Sequence, residues 1–144
     1  MIGMRLIVVA GVLLCLGSTG ALSFDLGHIL NGQARIIDGD TLEVADSKVR
    51  LNGVAAPEHD EAGGPQATQF METLTNGETI RCSLTGETTY QREVGTCWIG
   101  TTDIAAALVA DGLARDCPRF SGGRYAALET EASRALPFPR YCRP

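Results

Sequence analysis

Two short runs of strand-forming residues meet at an acidic turn, and this arrangement constrains the fold more than any other feature. The runs span 34–37 and 41–44, and Asp38, Gly39 and Asp40 join them. Gly39 lets the backbone bend sharply, and residues two apart in an extended chain point to the same face. We therefore expect both carboxylates at one spot, where a divalent cation or an arginine would balance their repulsion. An Asp-Gly hairpin turn with no further role is the common alternative.

The order of strands and helices predicts a mixed fold. Alternating apolar residues indicate strands, an i, i+3, i+4, i+7 stripe indicates the first helix, and Asp103 and Ser121 are suitable caps for the two later helices. Five short strands, with a helix between the third and the fourth, predict an α+β fold: a five-stranded OB-type β-barrel with three α-helices. That fold binds oligonucleotides or oligosaccharides, which narrows the partner class without fixing it. The predicted strands are 34–37, 41–44, 48–54, 78–84 and 92–99, and the predicted helices contain 67–74, 104–110 and 121–135.

Residues 1–23 are predicted to be a secretory signal peptide. A short basic start with Arg5 precedes an apolar run at 6–16 that is too short to span a bilayer. Small residues follow, and Ala21-Leu22-Ser23 fits a cleavage site. We therefore expect residues 24–144 to form one domain that is periplasmic or secreted, monomeric, and without a stable membrane anchor after cleavage. A retained anchor is the alternative.

Four cysteines remain after the signal peptide, and an even count in a small exported domain indicates two disulfides. Three pairings are open from the sequence. Cys82 and Cys97 flank a predicted hairpin and can face each other across it, which leaves Cys117 to pair with Cys142. A zinc site is disfavoured because no Cys-x-x-Cys motif occurs.

The charge of the chain excludes nucleic-acid binding through an overall basic surface. The net charge is −5, whereas such proteins are usually basic. Any contact with a polyanion must therefore be local. Lys48 is the only lysine, and every other basic side chain is an arginine. Arginine can grip phosphate or carboxylate in a two-pronged way, although a bias towards arginine is equally explained by surface packing.

Several motifs, taken together, resemble the staphylococcal nuclease-like (thermonuclease) family. They are ARIIDGDTLEV, VRLNGVAAPE, YQR and ALVADGLA, followed by Tyr125 with ETEASR. The resemblance covers residues 33 to about 134, and it implies Ca²⁺-dependent hydrolysis of phosphodiester bonds in DNA and RNA.

The resemblance also implies a role for individual residues. Asp40 would hold the metal with Asp38 behind it, Arg50 and Arg92 would grip the scissile phosphate, and Glu58 would orient or deprotonate the attacking water. These residue types suit the reaction, because fixed arginines stabilise the charge that builds on phosphate oxygens and a carboxylate can take a proton from water. The further substrate-contact candidates are Tyr90, Arg124 and Tyr125.

Simpler structural roles remain open for three of these residues. Arg50 could form an ion pair with Glu58 within the barrel. Arg92 could be exposed on a hairpin, and Tyr90 could pack against the protein.

Two departures from the family pattern weaken the predicted calcium site. The family usually has an aspartate where this chain has Ala55, and that aspartate is a metal ligand. The family also tends to have Tyr-Gly-Arg after an aspartate, whereas here Gln91 replaces the glycine and no aspartate precedes it. Because calcium affinity follows the number of charged ligands, we expect weak Ca²⁺ binding. A catalytically weak or inactive protein that binds an oligonucleotide or a polysaccharide in the cell envelope is the alternative function.

Overall fold

A computed structural model describes residues 28–144, so the predicted signal peptide lies outside the described residues. The fold is α+β, and its elements in chain order alternate between strands and short helices. The strands are β1 (Ile29–Gly32), β2 (Ala34–Asp38), β3 (Thr41–Val44), β4 (Ser47–Leu51), β5 (Val54–Ala55), β6 (Ile80–Thr89), β7 (Arg92–Ile99), β8 (Thr102–Asp103) and β9 (Arg115–Asp116). The helices are α1 (Gly64–Thr75), α2 (Ile104–Ala110), α3 (Pro118–Ser121) and α4 (Glu131–Ala135).

The main sheet has the order β1-β6-β7-β4-β3-β2, with β8 added beside β7. All neighbours are antiparallel except β4 and β7, which run parallel. The sheet curls in the manner of an OB fold, but in the described residues β1 and β2 are not paired, so the predicted barrel is an open sheet. Its inner face carries the predicted alternation, because Leu42, Val44, Val49 and Leu51 are buried together.

Several strands differ from the sequence-based prediction. The predicted third strand divides into β4 and β5, because Gly53 has φ +81° and breaks the extended run. Strand β1 was not predicted, since its short sequence has no clear alternation, and β6 continues to Thr89 rather than turning at residue 85.

The predicted third helix, 121–135, is wrong. Helix α3 ends at Ser121, where Gly122 and Gly123 both adopt positive φ. A separate helix, α4, begins after Thr130, whose side chain forms a reciprocal capping box with Ser133. The Ser133 hydroxyl also donates to the carbonyl of Val109 at 2.8 Å. This bond ties α4 to the end of α2, so the chain folds over the core in short pieces instead of one helix.

Two disulfides connect the pairs that the sequence predicts. Cys82 and Cys97 lie directly opposite each other on β6 and β7. Cys117, just before α3, pairs with Cys142 near the carboxyl terminus. The second disulfide holds the end of the chain against the domain. None of the helices within residues 28–144 is long and apolar enough to cross a membrane.

Candidate active site

The Asp38-Gly39-Asp40 segment forms a tight turn between β2 and β3 that packs against helix α1. A Cβ atom on Gly39 would lie 2.6 Å from the Cβ of Ala67 and 2.8 Å from that of Ala56. Only glycine therefore fits this close approach. Within the turn, Asp38 Oδ1 accepts a hydrogen bond from the Asp40 backbone amide at 3.0 Å. Asp38 thus stabilises the turn and directs the following carboxylate inwards.

Asp40 is buried and its carboxylate accepts three donors. Oδ2 lies 3.0 Å from Nη2 of Arg50 and 2.9 Å from the backbone amide of Ala56. Oδ1 accepts from the Thr41 hydroxyl at 3.2 Å. The carboxylate therefore links the turn to strand β4 and to the segment that follows β5.

Burial raises the pKa of Asp40 to about 6, because the charged form loses its hydration. The Arg50 guanidinium and the Ala56 amide favour the ionised form and partly offset this rise. The nearby negative charges of Asp38 and Glu58 raise the pKa further. At pH 7 Asp40 is mostly ionised and paired with Arg50, but mild acid protonates it.

Arg50 is held in place by backbone and carboxylate acceptors. Its Nη1 donates to the carbonyls of Leu51 at 2.8 Å and Val54 at 2.9 Å, while Nη2 contacts Asp40. Three of the five N–H groups of an arginine are thus used, which leaves N–H groups free for a ligand. The partner of this ion pair is Asp40 rather than Glu58, so the barrel ion pair considered from the sequence is not formed.

Arg92 reaches the same region from the start of β7. Its Nη1 donates to the Thr41 hydroxyl at 3.0 Å and its Nε to the Thr89 carbonyl at 3.3 Å. Arg92 is half-buried and not simply an exposed hairpin residue. Because the Thr41 hydroxyl in turn donates to Asp40, a continuous polar chain connects Arg92 through Thr41 and Asp40 to Arg50.

Arg50 and Arg92 line one cavity of about 460 Å³ together with Glu58. Glu58 is exposed, and it lies on the loop after β5, where its amide donates to Glu61 Oε2 at 2.9 Å. Tyr90 also lines this cavity and is 91% exposed, so it does not pack against the protein. Tyr90 and Gln91 form the β6–β7 turn with φ +47° and +62°. The cavity therefore combines two cations, one carboxylate and an exposed ring.

Ala55 occupies an apolar cluster instead of facing the cavity. It is only 4% exposed and packs with the Cys117–Cys142 disulfide and the Phe138 ring. Strand β5 pairs with β9 so that Ala55 lies opposite Arg115. The position at which the family carries a metal-binding aspartate is therefore covered here by the carboxyl-terminal segment.

The residues present do not fit the predicted calcium site. Calcium takes six to eight oxygen ligands, and its affinity depends on charged ones. Asp40 already accepts three donors, one of which is a guanidinium, and Ala55 supplies no carboxylate. Within residues 28–144, no group of three or more His, Cys, Asp or Glu side chains is placed to hold a metal ion. Calcium dependence stays a prediction, and no chemical step is assigned to a metal.

Arg124 and Tyr125 do not join the residues around the cavity. Tyr125 is 1% exposed, and its hydroxyl donates to Asp103 Oδ2 at 2.9 Å, so the predicted substrate contact of its side chain is wrong. Burial and the Asp103 charge raise the pKa of this phenol well above its usual range. Arg124 is exposed and lies over the Tyr125 ring at 5.2 Å.

Three residues of the cavity region were missed by sequence reasoning. Thr41 was treated only as a strand residue, although the motif DGDT places its hydroxyl beside Asp40. Phe120 and Tyr141 line the cavity from α3 and from the carboxyl-terminal segment. The Cys117–Cys142 pairing was the available signal, because it predicts that residues near these cysteines lie together.

Comparison with known proteins places this geometry in a family. The family described as "Staphylococcal nuclease homologue" matches residues 48–135. The succinoglycan biosynthesis protein ExoI of Rhizobium meliloti (strain 1021) is 35% identical over 113 residues, which cover 70% of this chain and 59% of that protein. An uncharacterized endonuclease of Escherichia coli O157:H7 is 35% identical over 65 residues, 42% of each chain. The chain thus spans less than two thirds of the length of these relatives.

Proposed function

Because this chain belongs to the staphylococcal nuclease homologue family, we propose that it is an exported monomeric nuclease that hydrolyses phosphodiester bonds of DNA or RNA at the Arg50–Arg92–Glu58 cavity. One observation carries the proposal. Three separate stretches of sequence place two arginines and a carboxylate around a single cavity. The two disulfides are compatible with an exported protein.

The two arginines would bind the non-bridging oxygens of the scissile phosphate. Arg50 is held by Leu51, Val54 and Asp40, so its remaining N–H groups are oriented before a ligand arrives. Arg92 is positioned through Thr41. Donors that are fixed in advance stabilise the charge that develops in phosphoryl transfer without reorganising during the reaction.

Glu58 would act as the general base. Its exposed carboxylate lies at the cavity, where it can take a proton from a water molecule as that water attacks phosphorus. The P–O bond to the leaving oxygen then breaks, and a proton from solvent completes the alcohol. Asp40 does not touch the substrate in this scheme, and it positions Arg50.

A nuclease assay with matched variants tests this proposal. Purified mature protein should cleave single-stranded DNA or RNA, and Glu58→Gln should lower the rate about 100- to 10,000-fold, because that is the usual contribution of a general base. Asp60→Asn is the control, since Asp60 is exposed on the same loop and removes the same charge without lining the cavity. The assay is run with chelator and with Ca²⁺, Mg²⁺ or Mn²⁺. If wild type and Glu58→Gln are equally inert under all conditions, the enzyme proposal fails.

A second candidate is a binding protein for an oligonucleotide or a polysaccharide. The burial of Ala55 at a family metal-ligand position favours it, and the relative ExoI is named for succinoglycan biosynthesis. This candidate predicts ligand binding that is insensitive to Glu58→Gln and no cleavage by the wild type.

A further inference from the structure

Every exposed aromatic side chain within residues 28–144 lines the same cavity. Tyr90 is 91% exposed, Tyr141 51% and Phe120 47%, whereas the other aromatic residues of the described chain are buried or half-buried. The three rings come from the β6–β7 turn, from the carboxyl-terminal segment and from α3. We refer to Tyr90, Phe120 and Tyr141 as the aromatic rim. Rings left in water and gathered around one cavity indicate a planar ligand rather than a packing role.

One disulfide positions two rings of the rim. Cys117 lies three residues before Phe120, and Cys142 directly follows Tyr141. The short helix α3 packs against the helical turn Arg140–Cys142 that carries Tyr141. The carboxyl-terminal segment thus covers Ala55 on one side and contributes a ring to the cavity on the other.

The charge near the rim matches a polyanion. Residues 115–144 contain six arginines and three acidic residues, although the whole chain has a net charge of −5. Arg50 and Arg92, which would bind the phosphate, line the same cavity as the rim. A ligand that carries a phosphate next to a flat ring satisfies both features.

We infer that the aromatic rim binds an unpaired nucleobase beside the scissile phosphate, so that this protein acts preferentially on single-stranded nucleic acid. This inference rests on the proposed function, because it takes the arginines as the phosphate site. Bases stack on aromatic side chains largely irrespective of their identity. In a duplex each base is stacked on its neighbours and paired, which withdraws it from the rim.

Binding of labelled oligonucleotides in the Glu58→Gln background tests the inference without cleavage. The probes are a fluorescein-labelled oligothymidylate, a strand of the same length with abasic sites, and a duplex, measured by anisotropy with chelator present. The thymidylate should bind about 5- to 100-fold more tightly than the abasic strand, which is the usual contribution of stacking one base.

Additional variants in that background separate stacking from folding defects. Phe120→Ala and Tyr141→Ala should each lower affinity for the thymidylate several-fold and leave affinity for the abasic strand unchanged. Tyr141→Phe should keep it, since the ring remains. Leu128→Ala is the control, because Leu128 is 40% exposed but lies away from the cavity.

Three results would overturn the inference: equal affinity for thymidylate and abasic strands, no effect of the alanine variants, or rim-dependent binding of a phosphate-free oligosaccharide in place of the thymidylate. Failure of the proposed function would look different. A wild-type protein that cleaves nothing, yet binds the thymidylate through the rim, would remove the nuclease and keep the base site. A protein that cleaves duplex and single strands equally would keep the nuclease and remove the base site.

Discussion

Replacing Ala55 with aspartate tests whether the carboxyl-terminal segment closes the family metal-ligand position. The Ala55 side chain lies against the Cys117–Cys142 disulfide and Phe138, in a cluster with no acidic or basic member. A carboxylate placed there loses most of its hydration. An unpaired buried charge typically costs about 3–5 kcal/mol.

A single neighbour could offset part of this cost. Arg115 lies opposite position 55 across the β5–β9 pair, and an opposite-charge pair across two strands contributes about 0.2–1 kcal/mol. Arg115 is already engaged, because its guanidinium lies 4.7 Å from the Phe138 ring centroid and its Nε is 3.3 Å from Glu129. We therefore expect Ala55→Asp to lower the free energy of unfolding by about 2–4 kcal/mol at pH 7.

Urea unfolding followed by circular dichroism measures this change, with Ala55→Asn as a control of similar shape. The uncharged amide should cost less, about 1–3 kcal/mol. The new carboxyl has a raised pKa in the folded protein, so its excess cost over the amide is complete above that pKa. The excess should disappear as the pH falls below about 4, the pKa of an unfolded aspartate. If Ala55→Asp without calcium is as stable as wild type at pH 7, the carboxyl-terminal segment does not enclose this position.

The same variants test the calcium prediction. If a carboxylate introduced at position 55 can complete a site with Asp40, added Ca²⁺ should stabilise Ala55→Asp in proportion to the logarithm of its concentration, and should not stabilise Ala55→Asn. Equal responses of both variants would show that calcium does not bind at this position.

The remaining predictions concern the residues around Asp40 and the disulfide. Arg50→Lys should lower kcat/KM about 100- to 1,000-fold, because an ammonium cannot reach Leu51, Val54 and Asp40 together; near-normal kinetics would contradict the positioning role. Because the pKa of Asp40 is about 6 when folded and 3.8 normally, the folded state binds more protons between these values, and this group loses stability as the pH rises. The stability of wild type minus that of Asp40→Asn should therefore be about 2 kcal/mol greater at pH 4 than at pH 7, and a pH-independent difference in urea unfolding would refute the shift. A double variant with serine at Cys117 and Cys142 should remain folded around the core but release the carboxyl-terminal segment, so that trypsin cleaves after Arg140 faster than in wild type; equal cleavage rates would show that the disulfide does not hold this segment.

Local patterns accounted for the turn and for two of the helices. Asp38-Gly39-Asp40 forms a turn because glycine alone fits against Ala67, and α2 begins at Ile104 because Asp103 accepts hydrogen bonds from the amides of Ala105 and Ala106. Such features depend mainly on neighbours along the chain, so they can be read from the sequence. The predicted helix 121–135 failed because a stripe of apolar residues outweighed Gly122 and Gly123, whose positive φ breaks the helix.

The candidate site combines local and distant determinants. The motif resemblance selected Arg50, Glu58 and Arg92, and the structure brings them to one cavity. The partner of Arg50 was not predictable, because both Asp40 and Glu58 are acidic and close in sequence. Contact through Thr41 depends on the register of β3 against β4, which the sequence does not specify.

The sequence by itself determined the family, the order of strands and the residues that carry charge near the phosphate site. Tertiary structure alone decided how position 55 is used and where the last residues of the chain lie. Ala55 in the sequence is an absent ligand, whereas in the folded protein it is a contact for the Cys117–Cys142 disulfide. The difference arises because that disulfide joins residues 25 apart, and closing the loop brings Tyr141 to the cavity from the far end of the chain.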